Sequence, residues 1–582
     1  MKPFLPVTAD LHKATRFSGL SLILGFIFSI IFYTGAMAEM SQHTKQIDEF
    51  FAPWSTAATP GAAVIVIHHG KVIHRKGYGL ANLEYGVPVT PETIFHSASL
   101  SKQFTAFAIG LLEYRGKVDV GKPVQYYIPE VPEFPWPVTV EQMIHHTSGL
   151  RDVTSLFALQ GRNPSDVSTD QHVMRLISLQ QDLNFEPGSR FMYTNAGYTL
   201  LAQIVARVGG KSFRRWTSDE IFTPLGMTHS HFNDDYSEVV PGRAYSYQPA
   251  GTAKDGNSYS KYPMNFSMVG STGLLTTVDD LAKWMDNLIT GTYGGTALRD
   301  RMIRKTKLND GSALDYGYGL NLGSYHGVPT IRHGGTDAGF RSSLMVFPDQ
   351  KLGIAILGNT AEFPAETIAQ KIADLFLPQQ AAPQSTEAAQ TAPATGMTPD
   401  DAANVKIVPQ QYSGQYLLND GNFLHITERE DGINLQVGPT ALKLYPASTT
   451  SFFITEADAG VEFSGFDSGR YSKATLRNAG VLTDGEKIET DAASPEKLAE
   501  YAGRYYLPET ESFLTIKVKE NSLTTWIAGQ EGIGVSYAGK DYFVNPQLRV
   551  SLRFERDGKG QVIAARASMD RIQNMLLEKV TP

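Results

Sequence analysis

The chain has 582 residues, 42% hydrophobic and 19% charged, so it reads as a globular protein with about two to four domains rather than one core. A formal net charge of -8 leaves no basic footprint and argues against nucleic acid as a partner. The absence of cysteine excludes disulfides, thiolate catalysis and cysteine metal sites together.

The first 38 residues read as a targeting segment. Lys13 and Arg16 precede a charge-free apolar stretch from Phe17 to Ala38 that ends in Ala36-Met37-Ala38, a small-residue cleavage pattern. A secretory signal cut after Ala38 places the mature chain in the periplasm or outside the cell. An uncleaved anchor, tethering the protein through residues 17–35, is the competing reading, since the stretch is long enough to span a bilayer.

Residues 62–80, AAVIVIHHGKVIHRKGYGL, place two β-branched runs around His69-Gly70 and predict a hairpin. Residues 343–358, SLMVFPDQKLGIAILG, predict another, turning at Pro348-Asp349. Helical periodicity covers Lys102–Tyr114, with Phe104, Phe107, Ala108, Leu111 and Leu112 on one face. It recurs over Tyr198–Val208, Asp279–Leu288 and 363–377, the last stopped by Pro378. Strands at both ends of a helical middle imply an α+β domain over 45–378, an antiparallel sheet with helices against it. Residues 379–408, rich in Ala, Gln, Pro and Thr, read as a linker.

An internal repeat follows. Tyr412-Ser-Gly-Gln-Tyr416 returns as Tyr501-Ala-Gly-Arg-Tyr505, Phe423-Leu424 as Phe513-Leu514, Phe452-Phe453-Ile454 as Tyr542-Phe543-Val544, and Phe463 as Phe554. Short alternating strands split by Asp-Gly turns predict two small closed β-barrels, 409–490 and 496–582, because closure hides strand edges.

Ser-x-x-Lys occurs three times, at Ser99–Lys102, Ser258–Lys261 and Ser494–Lys497. Ser494 precedes proline and reads as a turn. Ser258 lies in a polar loop. Ser99 alone heads a helix, where Lys102 shares its face and the helix N-terminus offers N–H groups to an oxyanion. A serine nucleophile needs a base, which a neutral lysine or an anionic tyrosine can supply. Tyr193-Thr-Asn195 is the one Tyr-x-Asn in the chain and stands just before a helix. Its plainer reading is a helix cap. In His333-Gly334-Gly335 the glycines would let a substrate backbone approach a strand.

The order of these three elements resembles the active-site motifs of penicillin-binding proteins, class C β-lactamases and their serine-hydrolase relatives. MIHHTSGLRD (143–152), GSTGLLTTVDDLAKWM (270–285) and HGGTDAGF (333–340) are similar to stretches common in that group. The resemblance implies a five-stranded antiparallel sheet with helices on both faces and the site between sheet and helical lobe. It implies Ser99 as nucleophile, Lys102 as proton holder or shuttle, and Tyr193 as base for acylation and acid for the leaving group. Asn195 would bond Lys102 and the substrate amide, and the N–H groups of Ser99 and Thr336 would form the oxyanion hole. It implies no metal or organic cofactor. His333 and Gly334 depart from the Lys-Thr-Gly of many relatives and remove a fixed cation and a hydroxyl, for which Arg341 is a candidate replacement; Gly335 completes the motif. The two barrels resemble the lipocalin-like barrels of D-stereospecific aminopeptidases, in which a barrel loop reaches the site. Residues 527–539, IAGQEGIGVSYAG, are a candidate for that loop, though an ordinary hairpin is the simpler reading.

The resulting expectation is a serine hydrolase forming an acyl-enzyme on short D-amino-acid peptides or amides. Its alternatives are an esterase or broad β-lactamase-like or DD-peptidase hydrolase on the same site, and an inactive penicillin- or peptide-binding protein. The partner is a small peptide, amide or ester.

Overall fold

The computed structural model describes residues 42–377, apart from 164 and 252–257, and residues 405–580, apart from 419–422, 431, 438–439, 455–458, 479–480, 489–492 and 546. Ala402 is described as well. The expected targeting segment 1–38 and most of the expected linker 379–408 lie outside the described residues.

The first domain is built on the strands β1 (Ala62–His68) and β2 (Lys71–Tyr78), the helices α1 (Ser101–Tyr114), α2 (Asn195–Gly209) and α3 (Val278–Thr290), the strands β3 (Asn321–Tyr325), β4 (Val328–Asp337), β5 (Phe340–Phe347) and β6 (Leu352–Gly358), and the helix α4 (Ala365–Ala373). The sheet is antiparallel throughout, in the order β3-β4-β5-β6-β1-β2. It has six strands where five were expected. The extra one, β3, is written in NLGSY, which lacks a β-branched run and gives no strand signal.

β1 reads as an unbroken apolar run because both of its faces are covered. Val64 and Val66 join Ile47, Phe51, Ile368 and Ile372 under α4 and the helical segment 42–50. Ala63, Ile65 and Ile67 face the helical lobe, with Trp284 and Leu288 of α3. α1 differs from its expected one-sided face. Residues from Ser101 to Leu112 are all buried, since the helix runs through the middle of that lobe. Its polar side chains are bonded there: Thr105 to the Gly270 carbonyl at 2.8 Å, and Gln103 to the Trp284 indole N–H at 2.5 Å.

Caps move several boundaries. Thr194 accepts the N–H of Ala196, so α2 begins at Asn195 rather than Tyr198. Thr277 caps α3. α4 starts after Pro364 and ends at Ala373, inside the expected 363–377. Ser494, read as a turn, caps the helix Pro495–Tyr501 through the N–H of Lys497. Ser258 borders a short strand, Tyr259–Lys261.

Two closed eight-stranded antiparallel barrels follow, one from Gly414 to Ile488 and one from Gly503 to Val580. The repeated Tyr-x-Gly-x-Tyr closes each of them in the same way. Tyr416 Oη donates to the Tyr412 carbonyl at 2.8 Å, and Tyr505 Oη to the Tyr501 carbonyl at 2.7 Å. Gly414 and Gly503 have φ of +140° and +148°, and a Cβ on either would meet the Cε of Lys487 or Lys579, at 2.5 and 3.0 Å. Tyr412 packs on Phe452 and Phe463; Tyr501 packs on Phe543 and Phe554. Phe543, not Tyr542, is therefore the counterpart of Phe452, one residue from the sequence match.

The second barrel shares one continuous apolar core with the first domain, whereas the first barrel keeps its own. Arg151, 1% exposed, makes a two-pronged pair with Glu509 of the second barrel, 2% exposed, at 2.6 and 3.2 Å. Asn184 bonds the N–H of Gln573 and the carbonyl of Arg571 at 2.8 and 2.9 Å, and Gln160 bonds the Thr510 carbonyl at 2.8 Å.

Candidate active site

Ser99 sits in the tight turn Ala98–Leu100 that leads into α1. Ala98 takes a left-handed φ of +51°, a strained conformation for a residue with a Cβ. Neighbouring bonds hold the turn. Ser97 N–H and Oγ donate to the Leu274 carbonyl at 2.9 and 3.1 Å, Ser342 Oγ donates to the Ser97 carbonyl at 2.8 Å, and Ser101 Oγ donates to the Ala98 carbonyl at 2.7 Å. Gly335 is needed for this seating, because a Cβ there would lie 2.5 Å from the Ser97 carbonyl oxygen and 3.1 Å from the Ala98 Cβ. Gly334 is different: a Cβ there meets only the Ser342 carbonyl, at 3.6 Å, so this glycine opens to the cleft.

Lys102 is fully buried, and its Nζ lies 3.2 Å from Ser99 Oγ, 2.8 Å from Asn195 Oδ1 and 2.7 Å from the Ser271 carbonyl. Burial lowers its pKa to about 7, against the opposing pull of Asp337 and Asp152. The three contacts suit a neutral amine. Its two hydrogens go to the two carbonyl oxygens and its lone pair to the Ser99 hydroxyl.

Asn195 is held at the start of α2 by Asp152, whose Oδ2 accepts its backbone N–H at 2.6 Å. The other oxygen of Asp152 caps the helix Val153–Leu159 through Thr154 and Ser155. Tyr193 lies 4.7 Å from Lys102 Nζ by its ring centroid, and its buried hydroxyl has no hydrogen-bond partner among the described residues. Burial raises its pKa above the ordinary phenol value, while Ser99 and Arg571 pull the other way. Tyr193 is thus a phenol at neutral pH, and Lys102 is the group poised to take a proton.

His333 is buried and belongs to a chain of hydrogen bonds. His146 Nδ1 accepts the Thr194 N–H at 3.2 Å, so its Nε2 is the donor to Tyr316 Oη at 3.1 Å. Tyr316 Oη then donates to His333 Nε2 at 3.3 Å, and His333 Nδ1 donates to the Gly334 carbonyl at 2.6 Å. Burial lowers the pKa of His333 to about 4 and that of His146 well below the imidazole range. The third motif therefore carries no positive charge. His146 also lies against Tyr193, with ring centroids 4.2 Å apart.

Ser99, Tyr193, Asn195, His333, Gly334, Gly335, Thr336 and Arg341 line one cleft of about 680 Å³. Lys102 lies beneath its floor. β3 pairs with β4 only up to Arg332, so the Gly334–Thr336 edge is left open to a ligand. Arg341 reaches the cleft but is tied back to the carbonyls of Ala338 and Phe340 at 2.9 and 2.8 Å.

Sequence reasoning did not single out Asp152, His146, Tyr316, Asp337 or Arg571. Asp337 keeps a partly exposed carboxylate on the cleft wall. Burial opposes its charge, but bonds from His96 at 2.9 Å and from Thr272 hold its pKa below the usual range. The candidate barrel loop 527–539 does not line the cleft and is the ordinary hairpin of the simpler reading. Its turn at Ala528 packs on Gly161 of the first domain instead. The barrel residue in the cleft is Arg571, from the last hairpin of the second barrel, whose guanidinium lies 5.8 Å from the Tyr193 ring centroid.

The beta-lactamase family matches residues 42–377. A D-aminopeptidase of Gluconobacter oxydans (strain 621H) is 26% identical over 542 residues, covering 90% of this chain and 96% of its own length. A penicillin-binding protein of Bacillus subtilis (strain 168) is 26% identical over 422 residues, covering 69% of this chain and 89% of its own. Among solved structures, the octameric penicillin-binding protein homologue from Pyrococcus abyssi has a TM-score of 0.51 at 22% identity, covering 83% of this chain and 97% of its own, a likeness of fold. With its matched first domain and its serine-lysine cleft, the chain belongs to the beta-lactamase family and is a serine hydrolase.

Proposed function

We propose that the protein is an aminopeptidase or amidase acting on short D-amino-acid peptides or amides outside the cytoplasm. The observation that carries this reading is a serine-lysine site whose cleft is closed on one side by the second barrel. The similarity to a D-aminopeptidase over almost the whole of both chains, barrels included, supports it. Asp337, held as a carboxylate on the cleft wall, suits the free ammonium of an N-terminal residue.

Neutral Lys102 takes the proton of Ser99 as Oγ attacks the carbonyl carbon. The backbone N–H groups of Ser99 and Thr336 hold the oxyanion, preorganised by the pinned turn and the sheet edge. As the C–N bond breaks, Tyr193 gives its proton to the leaving nitrogen and is reprotonated from Lys102. Water then attacks the acyl-Ser99 ester along the same proton path.

Ammonia release from D-alanine amide and L-alanine amide, with Ser99→Ala as control, tests the reading. Ser99-dependent, D-selective release is expected, and no release from either amide would overturn it. Because the base must be neutral, kcat/KM should rise as pH increases through about 7. A flat profile between pH 5 and 9 would remove Lys102 from that role.

A further inference from the structure

The third motif supplies no cation to the cleft. His333 is neutral and Arg341 is turned back on its own strand. Arg571 is delivered from another domain, on the turn between strands Val562–Met569 and Ile572–Val580. That turn is fixed, since the Arg571 carbonyl accepts from Asn184 Nδ2 at 2.9 Å and from the Asp152 N–H at 3.4 Å.

The guanidinium is 29% exposed and faces the cleft beside Tyr193. Its ion-pair contacts are long: 3.4 Å to Asp152 Oδ2 and 3.5 Å to Asp570 Oδ2. Neither anion depends on it. Asp152 already accepts three backbone N–H groups, and Asp570 accepts the Ser155 hydroxyl at 2.5 Å. Most of the five donors of the fork remain for a ligand, in the geometry that suits a carboxylate. Tyr193 fixes which part of the substrate lies there. Its hydroxyl is the acid for the leaving nitrogen, so a group one or two bonds beyond that nitrogen falls beside its ring and against Arg571.

We propose that Arg571 of the second barrel is the carboxylate-binding residue of this active site, and that the preferred substrates are dipeptides whose leaving residue carries a free carboxylate. The proposal rests on the amide-cleaving reading above. With Asp337 at the amine end and Arg571 at the acid end, the cleft matches a zwitterion. Longer peptides would place an uncharged amide where the charge is needed.

The test compares D-alanyl-glycine with D-alanyl-glycinamide on the full chain, in wild type, Arg571→Gln and Arg571→Lys. The wild type should favour the acid, and Arg571→Gln should cut the acid-to-amide ratio of kcat/KM by about 10- to 100-fold, with Arg571→Lys between them. Any effect of Arg571 on Tyr193 itself acts on both substrates and cancels in the ratio. An equal loss for both, with or without a moved pH profile, would overturn the proposal. The amide alone reports on the amide-cleaving reading, so the two can fail separately. If neither substrate turns over, protection of Ser99 from a fluorophosphonate by D-alanyl-glycine still decides. Protection in wild type that is lost in Arg571→Gln supports a carboxylate site, and equal protection by the amide sinks it.

Discussion

The two barrels share a strand order and a tyrosine clasp, yet only one is part of the catalytic unit. The second shares a core with the first domain, answers Arg151 with Glu509 and puts Arg571 into the cleft. The first keeps its core to itself. The difference lies at the rim. In the last hairpin of the second barrel the turn reads Met569-Asp570-Arg571-Ile572, while at the corresponding place in the first barrel the sequence reads Asn478-Ala479-Gly480-Val481. Duplication supplies a rigid frame, and a two-residue turn on that frame gives one copy a place beside the chemistry.

The sharpest way to set the baseline for this comparison is Ser99→Ala. It should remove at least about 10⁴-fold of kcat while thermal unfolding stays close to wild type, since the hydroxyl contributes little to the core. Breaking the docking comes next. Glu509→Ala leaves the Arg151 charge buried and unpaired, which should cost about 3–5 kcal/mol in denaturant unfolding and separate the second barrel from the first domain. An unfolding curve unchanged from wild type would mean the pair is not what joins them. Giving the second barrel the sequence of the first at this place, by replacing Asp570-Arg571 with Ala-Gly, should erase the preference for a free carboxylate, about 10- to 100-fold in the acid-to-amide ratio, with the barrel still folded. The smallest effect separates the copies most cleanly. Tyr416→Phe and Tyr505→Phe each remove a buried hydroxyl, which Tyr416 shares between the Tyr412 and Tyr471 carbonyls, at about 1 kcal/mol, but only Tyr505→Phe should make activity more sensitive to mild denaturant.

The legible part of the molecule was the part written locally. Ser99 and Lys102 lie one turn apart, Tyr193 and Asn195 bracket a helix cap, and the aromatic repeat announces two barrels. β3 escaped notice because its pairing with β4 makes it a strand where its own residues do not. Arg571 escaped for a stronger reason. Asp-Arg at a hairpin turn is ordinary surface sequence, and its neighbours Asp152, Asn184 and Tyr193 come from another domain. Asp152 stood at a recognisable helix start, but that it also holds Asn195 follows only from the packing of two helices.

The pairing of β1 with β6 has a consequence for the order of events as the chain is made. Ala62 meets Gly358 and His68 meets Leu352, so the first strand of the sheet, paired at once with β2, waits for nearly the whole first domain before it finds its second neighbour. Contacts so distant in sequence are slow to form. Ser99 and Lys102 are synthesised early, yet Thr336 arrives only with the late strands, and Arg571 later still. A growing chain therefore holds Ser99 and Lys102 before the sheet edge and the barrel turn that complete their cleft exist.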